Sequence, residues 1–374
     1  MIDRRLIKNF DWVLLLVLLL LAGISLLNLY SATYAIWDVG GDRIFVKQIY
    51  WFLIGFTVLL AVTTFNYYKL EQLAFPAYLL SVFLLIVVLM GGEVTSGSQR
   101  WLSLGPVSFQ PSEFAKIAVV LVLAKFFGER GGNREYRLRD LWQPFILIMI
   151  PCGLILKEPD LGSALFLGLV SFSMILFVKV HWKSILIFLF SGMAAAPLIW
   201  FRLKEYQQMR ILTFLRPDMD PLGAGYHINQ SKIAIGSGCL WGKGFLNGTQ
   251  TRLHFLPEQH TDFAFSVLAE EWGMVGAVAL LMIYLFMIFW GLNIVKSSKD
   301  RFGAVLAFGI VAVIFWQVVI NVGMVTGLLP VVGIPLILFS YGGSSLVTTM
   351  GVVGLLMNIS MRRFMFQEDQ EKLL

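Results

Sequence analysis

The 374-residue chain is 58% hydrophobic and only 14% charged, with a mean hydropathy of +0.78. A soluble domain is about half apolar and about a quarter charged, so this balance excludes one and points to an integral membrane protein. The formal net charge of +6 is dispersed through loops between apolar runs, where Lys and Arg set membrane orientation, which argues against a nucleic-acid partner. Cys152 and Cys239 are too few for a disulfide framework or a thiolate metal site.

A membrane-spanning helix needs about 20 apolar residues. The first candidate follows Arg4, Arg5 and Lys8, continues too far for a signal peptide and lacks a small-x-small cleavage site, so it reads as a retained helix. The runs fall at 12–32, 48–65, 73–90, 111–127, 145–156, 161–178, 184–200, 263–295, 302–328 and 335–361. They predict an all-α polytopic protein of ten transmembrane helices, one membrane domain over 1–374. The fifth run is short and interrupted by Pro151, so it either spans or packs behind its neighbours. Between the seventh and eighth lies the one long polar stretch, a loop over 201–262.

Charge orients this plan. With ten crossings, Lys69, Lys125, Arg130, Arg134, Arg137, Arg139, Lys179, Lys183, Lys296, Lys299, Arg301, Arg362, Arg363 and Lys372 share one side with the N-terminal cluster, while the short loops opposite hold only Arg43, Lys47, Arg100 and Lys157. Both termini are therefore expected in the cytoplasm and the long loop outside; a loop of that length translocates largely regardless of its own charges, Arg202 among them. Counting back from Val295 at about 1.5 Å per residue, about 30 Å of hydrocarbon ends near Met274. Asp262, Ser266 and Glu270 then share a helix face at the outer interface, the depth of a lipid-linked head group.

In QRWLSLGPVSFQPSEFAKIAVV, Pro111 suits a first helical position, and Glu113 and Lys116 stand three apart on an apolar helix. Such charges either serve function or hold the bundle together. Arg100, just before them, is a candidate anion ligand. The stretch PLGAGYHINQSKIAIGSGCLWGKGFLNGTQ completes neither G-x-G-x-x-G nor a Walker A loop. It reads instead as a tight loop whose N–H groups, with Lys232 and Lys243, face an anionic head group. Asp262 or the adjacent Thr261 is either an N-cap or, for Asp262, a general base near Glu258 and His260, and the two roles are compatible. His227, His254 and His260 lack metal-ligand spacing. The proline and glycine run LLPVVGIPLILFSYGGSSL signals packing or a kink rather than a reaction.

Together QRWLSLG, FQPSEFAKIA, EPDLGSA, DPLGAGYHINQSKIAIGSG, FLPEQHTDFAFSVLAEEWG and LPVVGIPLILFSYGGSSL resemble the shape, elongation, division and sporulation family, nearest its rod-shape branch and in order over nearly the whole chain. Cys239 stands where glycine is usual and Trp272 where an aliphatic residue is usual. The resemblance implies a ten-helix fold with a large extracytoplasmic loop before the eighth helix. It also implies a peptidoglycan glycosyltransferase of the bacterial cytoplasmic membrane that polymerises lipid II on the outer face for cell elongation, beside a class B penicillin-binding protein and among membrane lipids.

The family's essential acid carries over onto Asp262 and its polar pair onto Glu113 and Lys116. Arg100, Arg210, Lys232, Glu258 and His260 complete the expected substrate contacts. No built-in cofactor is expected; a Mg²⁺ or Mn²⁺ ion held between Asp262 and the substrate diphosphate is chemically reasonable. Two alternatives remain, a lipid II flippase routed past Glu113 and Lys116, and a non-catalytic scaffold for the penicillin-binding protein.

Overall fold

The computed structural model describes residues 9–37, 40–95, 98–104, 107–130, 135–201, 204–216, 224–253, 255–256 and 258–362. Arg4, Arg5, Lys8, Arg134, Arg202, His254, Arg363 and Lys372 lie outside the described residues. The helices in chain order are α1 (Trp12–Tyr34), α2 (Gly41–Thr64), α3 (Tyr67–Gly91), α4 (Pro111–Glu129), α5 (Trp142–Lys157), α6 (Leu161–Phe177) and α7 (Trp182–Trp200). Then follow α8 (Glu205–Leu215), α9 (Ala224–Ser237), the short α10 (Thr249–Arg252), α11 (Ala264–Ser297), α12 (Arg301–Val325) and α13 (Gly343–Arg362). Strands β1 (Glu93–Thr95), β2 (Ser98–Leu104) and β3 (Val107–Phe109) make a small antiparallel sheet in the order β1-β2-β3, which carries Arg100 in front of α4.

Each apolar run carries a helix, and among the described residues six of these, α1, α2, α3, α11, α12 and α13, are long and apolar enough to cross a membrane. α5 runs unbroken through Pro151 but is only 16 residues long. α4 begins at Pro111, whose missing N–H costs nothing at a first helical turn, and it carries Glu113, Lys116, Lys125 and Glu129 within its length. Carboxylates and amides set the helix starts: Asp11 accepts from Leu14 N, Asn66 from Tyr68 N, Asp160 from Ser163 N and Asp300 from Gly303 N. Each such cap contributes about 1 kcal/mol. α12 is the buried centre, packed against α4, α6 and α11, while α13 packs along α2.

Two departures from the sequence reading shape the site. The last apolar run is not helical from Pro335: the helix starts only at Gly343, and 326–342 is irregular backbone, with Gly333 and Leu338 at positive φ. Irregular backbone at membrane depth survives only where protein satisfies it. Here buried side chains from the surrounding helices do so. Asn321 Nδ2 donates to the Ile334 carbonyl, Gln317 Nε2 to Pro335, Tyr284 Oη to Ile337, Ser25 Oγ to Phe339 and Gln48 Nε2 to Ser340, over 2.5–3.4 Å.

The second departure is a break in α11 at Gly273 (φ 65°, ψ −163°). The glycine-rich loop docks into it: Lys243 N and Gly244 N donate to the Glu270 and Glu271 carbonyls, while Met274 N and Val275 N donate to the Cys239 and Leu240 carbonyls. Broken helix bonds are replaced one for one across the gap. Gly242 and Gly273 meet backbone to backbone, so a Cβ on either would overlap the other strand of chain.

Candidate active site

Asp262 lies just ahead of α11, not on it. Phe263 holds the N-cap position and makes no side-chain capping bond, so neither Asp262 nor Thr261 is the cap. The shared face expected for Asp262, Ser266 and Glu270 is therefore corrected. Ser266 bonds to Ser231 of α9 and Glu270 to Lys243, while the Asp262 carboxylate meets the irregular segment, 3.4 Å from where a Cβ on Gly333 would stand. The residues ahead of it form a tight turn: Thr261 N and Phe263 N donate to the Glu258 carbonyl, and Thr261 Oγ1 donates to Glu258 Oε2 at 3.1 Å. Tyr341 N donates to the His260 carbonyl at 2.8 Å and Gln259 Nε2 to the Ala32 carbonyl, fastening the turn to the irregular segment and to α1.

Half-buried in this corner, the Asp262 carboxyl is pushed up to about 6 by burial; the negative charge of Glu258 adds to the rise, and the guanidinium groups of Arg210 and Arg100 oppose it. Burial holds His260 below its ordinary value, against the pull of Glu258, so the imidazole is neutral at pH 7. Arg100, Arg210, Glu258, His260 and Asp262 therefore form one electrostatic neighbourhood.

Arg100 is itself held. Its Nη2 donates to the Pro159 carbonyl at 2.8 Å and its Nε lies 3.6 Å from Asp160 Oδ2. Burial pushes the neighbouring Glu158 up to about 8, with Asp160 adding and Arg100 opposing. The Glu158-Pro159-Asp160 turn thus presents a cation toward the carboxylate. The sequence assigns Glu158 and Asp160 no role; the acid before a helix is visible, but its pairing with an arginine 60 residues earlier is not.

Glu113 and Lys116 pair at 2.7 Å, both buried, with the ammonium 4.8 Å from the Phe166 ring centre. They line a cavity of about 20 Å³, with Gln317, Ile337 and Thr349 on its other walls, which is room for a water. This pair sits inside the bundle, next to the irregular segment. Lys232 is exposed on α9 and lays the end of its side chain over Gly327.

The expected anion cradle of the glycine-rich loop is also corrected. Lys243 N–H and Gly244 N–H are occupied by the α11 break. The Lys243 ammonium bonds to Glu270 Oε1 at 2.7 Å, and the same oxygen accepts from Thr249 N and Gln250 N. A buried carboxylate needs such partners, and Glu270 is fully buried. This loop is a structural brace rather than a head-group site.

The fold and site define a class: a multi-pass helical membrane protein with, at one end of its bundle, a carboxylate raised by burial, two guanidinium groups acting on it and an imidazole held neutral. The FTSW_RODA_SPOVE cell cycle protein model matches residues 11–364. The chain belongs to that family.

The peptidoglycan glycosyltransferase MrdB of Escherichia coli K12 is 41% identical over 96% of both chains, and RodA of Treponema pallidum is 33% identical over 96% of this chain and 99% of its own. Among solved structures, a peptidoglycan synthase complex that coordinates polymerization and crosslinking superposes with a TM-score of 0.81 at 31% identity, covering 95% of this chain and 98% of that one. The rod shape determining protein RodA of Thermus thermophilus gives 0.70 at 28%, with the same coverage.

Proposed function

We infer that the chain is a peptidoglycan glycosyltransferase that extends β-1,4-linked glycan from lipid II at the outer face of the bacterial cytoplasmic membrane, in the service of rod shape. Relatives of that name align with it end to end, at up to 41% identity among those compared. The observation that carries the chemistry is Asp262, a carboxylate whose pKa near 6 leaves it ionised yet basic at pH 7, with Arg100 and Arg210 acting on it.

In the reaction, Asp262 removes the proton from the acceptor sugar's 4-hydroxyl as that oxygen attacks the anomeric carbon of the donor. The bond from that carbon to the α-linked diphosphate breaks, the bond electrons leave with the phosphate oxygen, and the new linkage is β. Arg100 and Arg210 balance the charge that develops on the leaving group. A Mg²⁺ or Mn²⁺ ion fits as a companion of the diphosphate, since Asp262 and Glu258 offer hard oxygens. Among the described residues no group of three His, Cys, Asp or Glu side chains stands ready to hold a metal by itself. Such an ion, when bound, would supply charge neutralisation at the phosphates.

The finer topology belongs to the same reading: ten crossings, both termini cytoplasmic and 201–262 outside, with α8, α9 and α10 folded within that loop. A class B transpeptidase is the partner this arrangement serves, as the structural relative is a synthase complex for polymerization and crosslinking.

Asp262→Asn is the direct test. Purified with its partner, the variant is expected to stay folded and bound while polymerisation of lipid II falls to background; normal polymer from it would remove Asp262 from the chemistry.

A further inference from the structure

Asn321 lies near the end of α12, fully buried in an apolar stretch. Its Nδ2 donates to two carbonyls at once, that of Asp262 at 2.9 Å and that of Ile334 at 2.8 Å. Carbonyls only accept, so the NH₂ end of the amide must face them, and the chemistry of the partners fixes the side chain's orientation. Its Oδ1 meets no hydrogen-bond partner among the described residues. The contribution of this side chain therefore resides in its two N–H groups.

The two carbonyls belong to the two sides of the site. One is the backbone of the base itself. The other follows Gly333, the residue whose vacant Cβ position lies 3.4 Å from Asp262 Oδ2. A single amide thus spans the carboxylate's own backbone and the wall that carboxylate faces, and the Tyr341 N bond to the His260 carbonyl fastens the same two segments a second time. Without the amide, both carbonyls, the Ile334 one buried and the Asp262 one partly so, lose a donor and the corner is free to open.

We propose that Asn321 is a positioning residue that fixes the distance between Asp262 and the 331–335 backbone, and so holds the base where the acceptor hydroxyl arrives. The proposal rests on the reading of Asp262 as that base. Positioning acts on kcat: a displacement of about 1 Å remote from the reacting atoms can cost on the order of a hundredfold in rate. Loss of uniform substrate binding would instead raise KM.

The experiment compares full-length Asn321→Leu, Asn321→Asp and Asn321→Gln with wild type and Asp262→Asn, measuring kcat and KM for lipid II polymerisation, thermal melting and capture of the transpeptidase partner. Leu and Asp match asparagine's size without its paired donors, and Gln restores them on a longer arm. The expected result is a drop in kcat of about tenfold or more for Leu and Asp, with KM within about twofold and partner capture retained, and partial recovery of kcat in Gln. The proposal is overturned if folded Asn321→Leu keeps wild-type kcat while Asp262→Asn is inactive. It is equally overturned if the loss lies in KM, if kcat falls only in step with the folded fraction in every variant, or if Gln recovers nothing. Activity in Asp262→Asn would instead sink the general-base reading.

Discussion

The Asp262 carboxyl has a pKa near 6 because burial and Glu258 outweigh Arg210 and Arg100. The sign for activity follows directly: a base works ionised, so polymerisation is expected to be full above about pH 7 and to fall as pH drops through about 6. Removing the negative neighbour should lower that midpoint, and a pH–rate profile of Glu258→Gln beside wild type would show it; a midpoint that rises would contradict the stated balance. Asp262 was legible in the sequence as an acid beyond the oily stretch, and its family motif singled it out. The other half of the corner was not. Nothing in FWQVVINVG marks its asparagine, because the two carbonyls its amide holds come from 59 residues before it, at Asp262, and 13 residues after it, at Ile334.

At the scale of the element, each spanning helix is visible as an apolar run, because about 20 apolar residues are the signature of a span whatever their packing, whereas α8, α9 and α10 fall in the stretch that reads as a polar loop. The failures occurred where backbone leaves the helix inside the bundle. PLILFSY, the start of the run from Pro335, is as apolar as a helix and reads as one. Pro330, Pro335 and Gly333 break it, and the polar side chains that make the break tolerable lie on α1, α2, α11 and α12. The glycine-rich loop shows the reverse error, since N–H groups that suggested an anion cradle are consumed by the break at Gly273. Gly242→Ala tests this brace: with φ at +79° and the Glu271 carbonyl where its methyl would go, it should cost about 1–3 kcal/mol, seen as a lower melting temperature in detergent. Unchanged melting would show the docking is loose.

The whole molecule makes a topological claim that its two thiols can check. Cys239 is exposed beside the break in α11, and Cys152 is buried. In intact spheroplasts a membrane-impermeant maleimide is expected to label wild type through Cys239 alone. Placed in a Cys239→Ala background, Lys183→Cys should react only after the membrane is opened. Labelling of Lys183→Cys from outside would invert the plan and remove Asp262 from the side where glycan is built.

The irregular 326–342 segment also dictates an order of events. Ser25, Gln48, Tyr284, Gln317 and Asn321, which quiet its bare carbonyls, all precede those carbonyls in the chain. The segment has no stable home in the bilayer until those earlier helices have gathered. Synthesis must nearly finish before the corner facing Asp262 is built, so a nascent chain halted before residue 334 carries Asp262 without the wall its carboxylate faces.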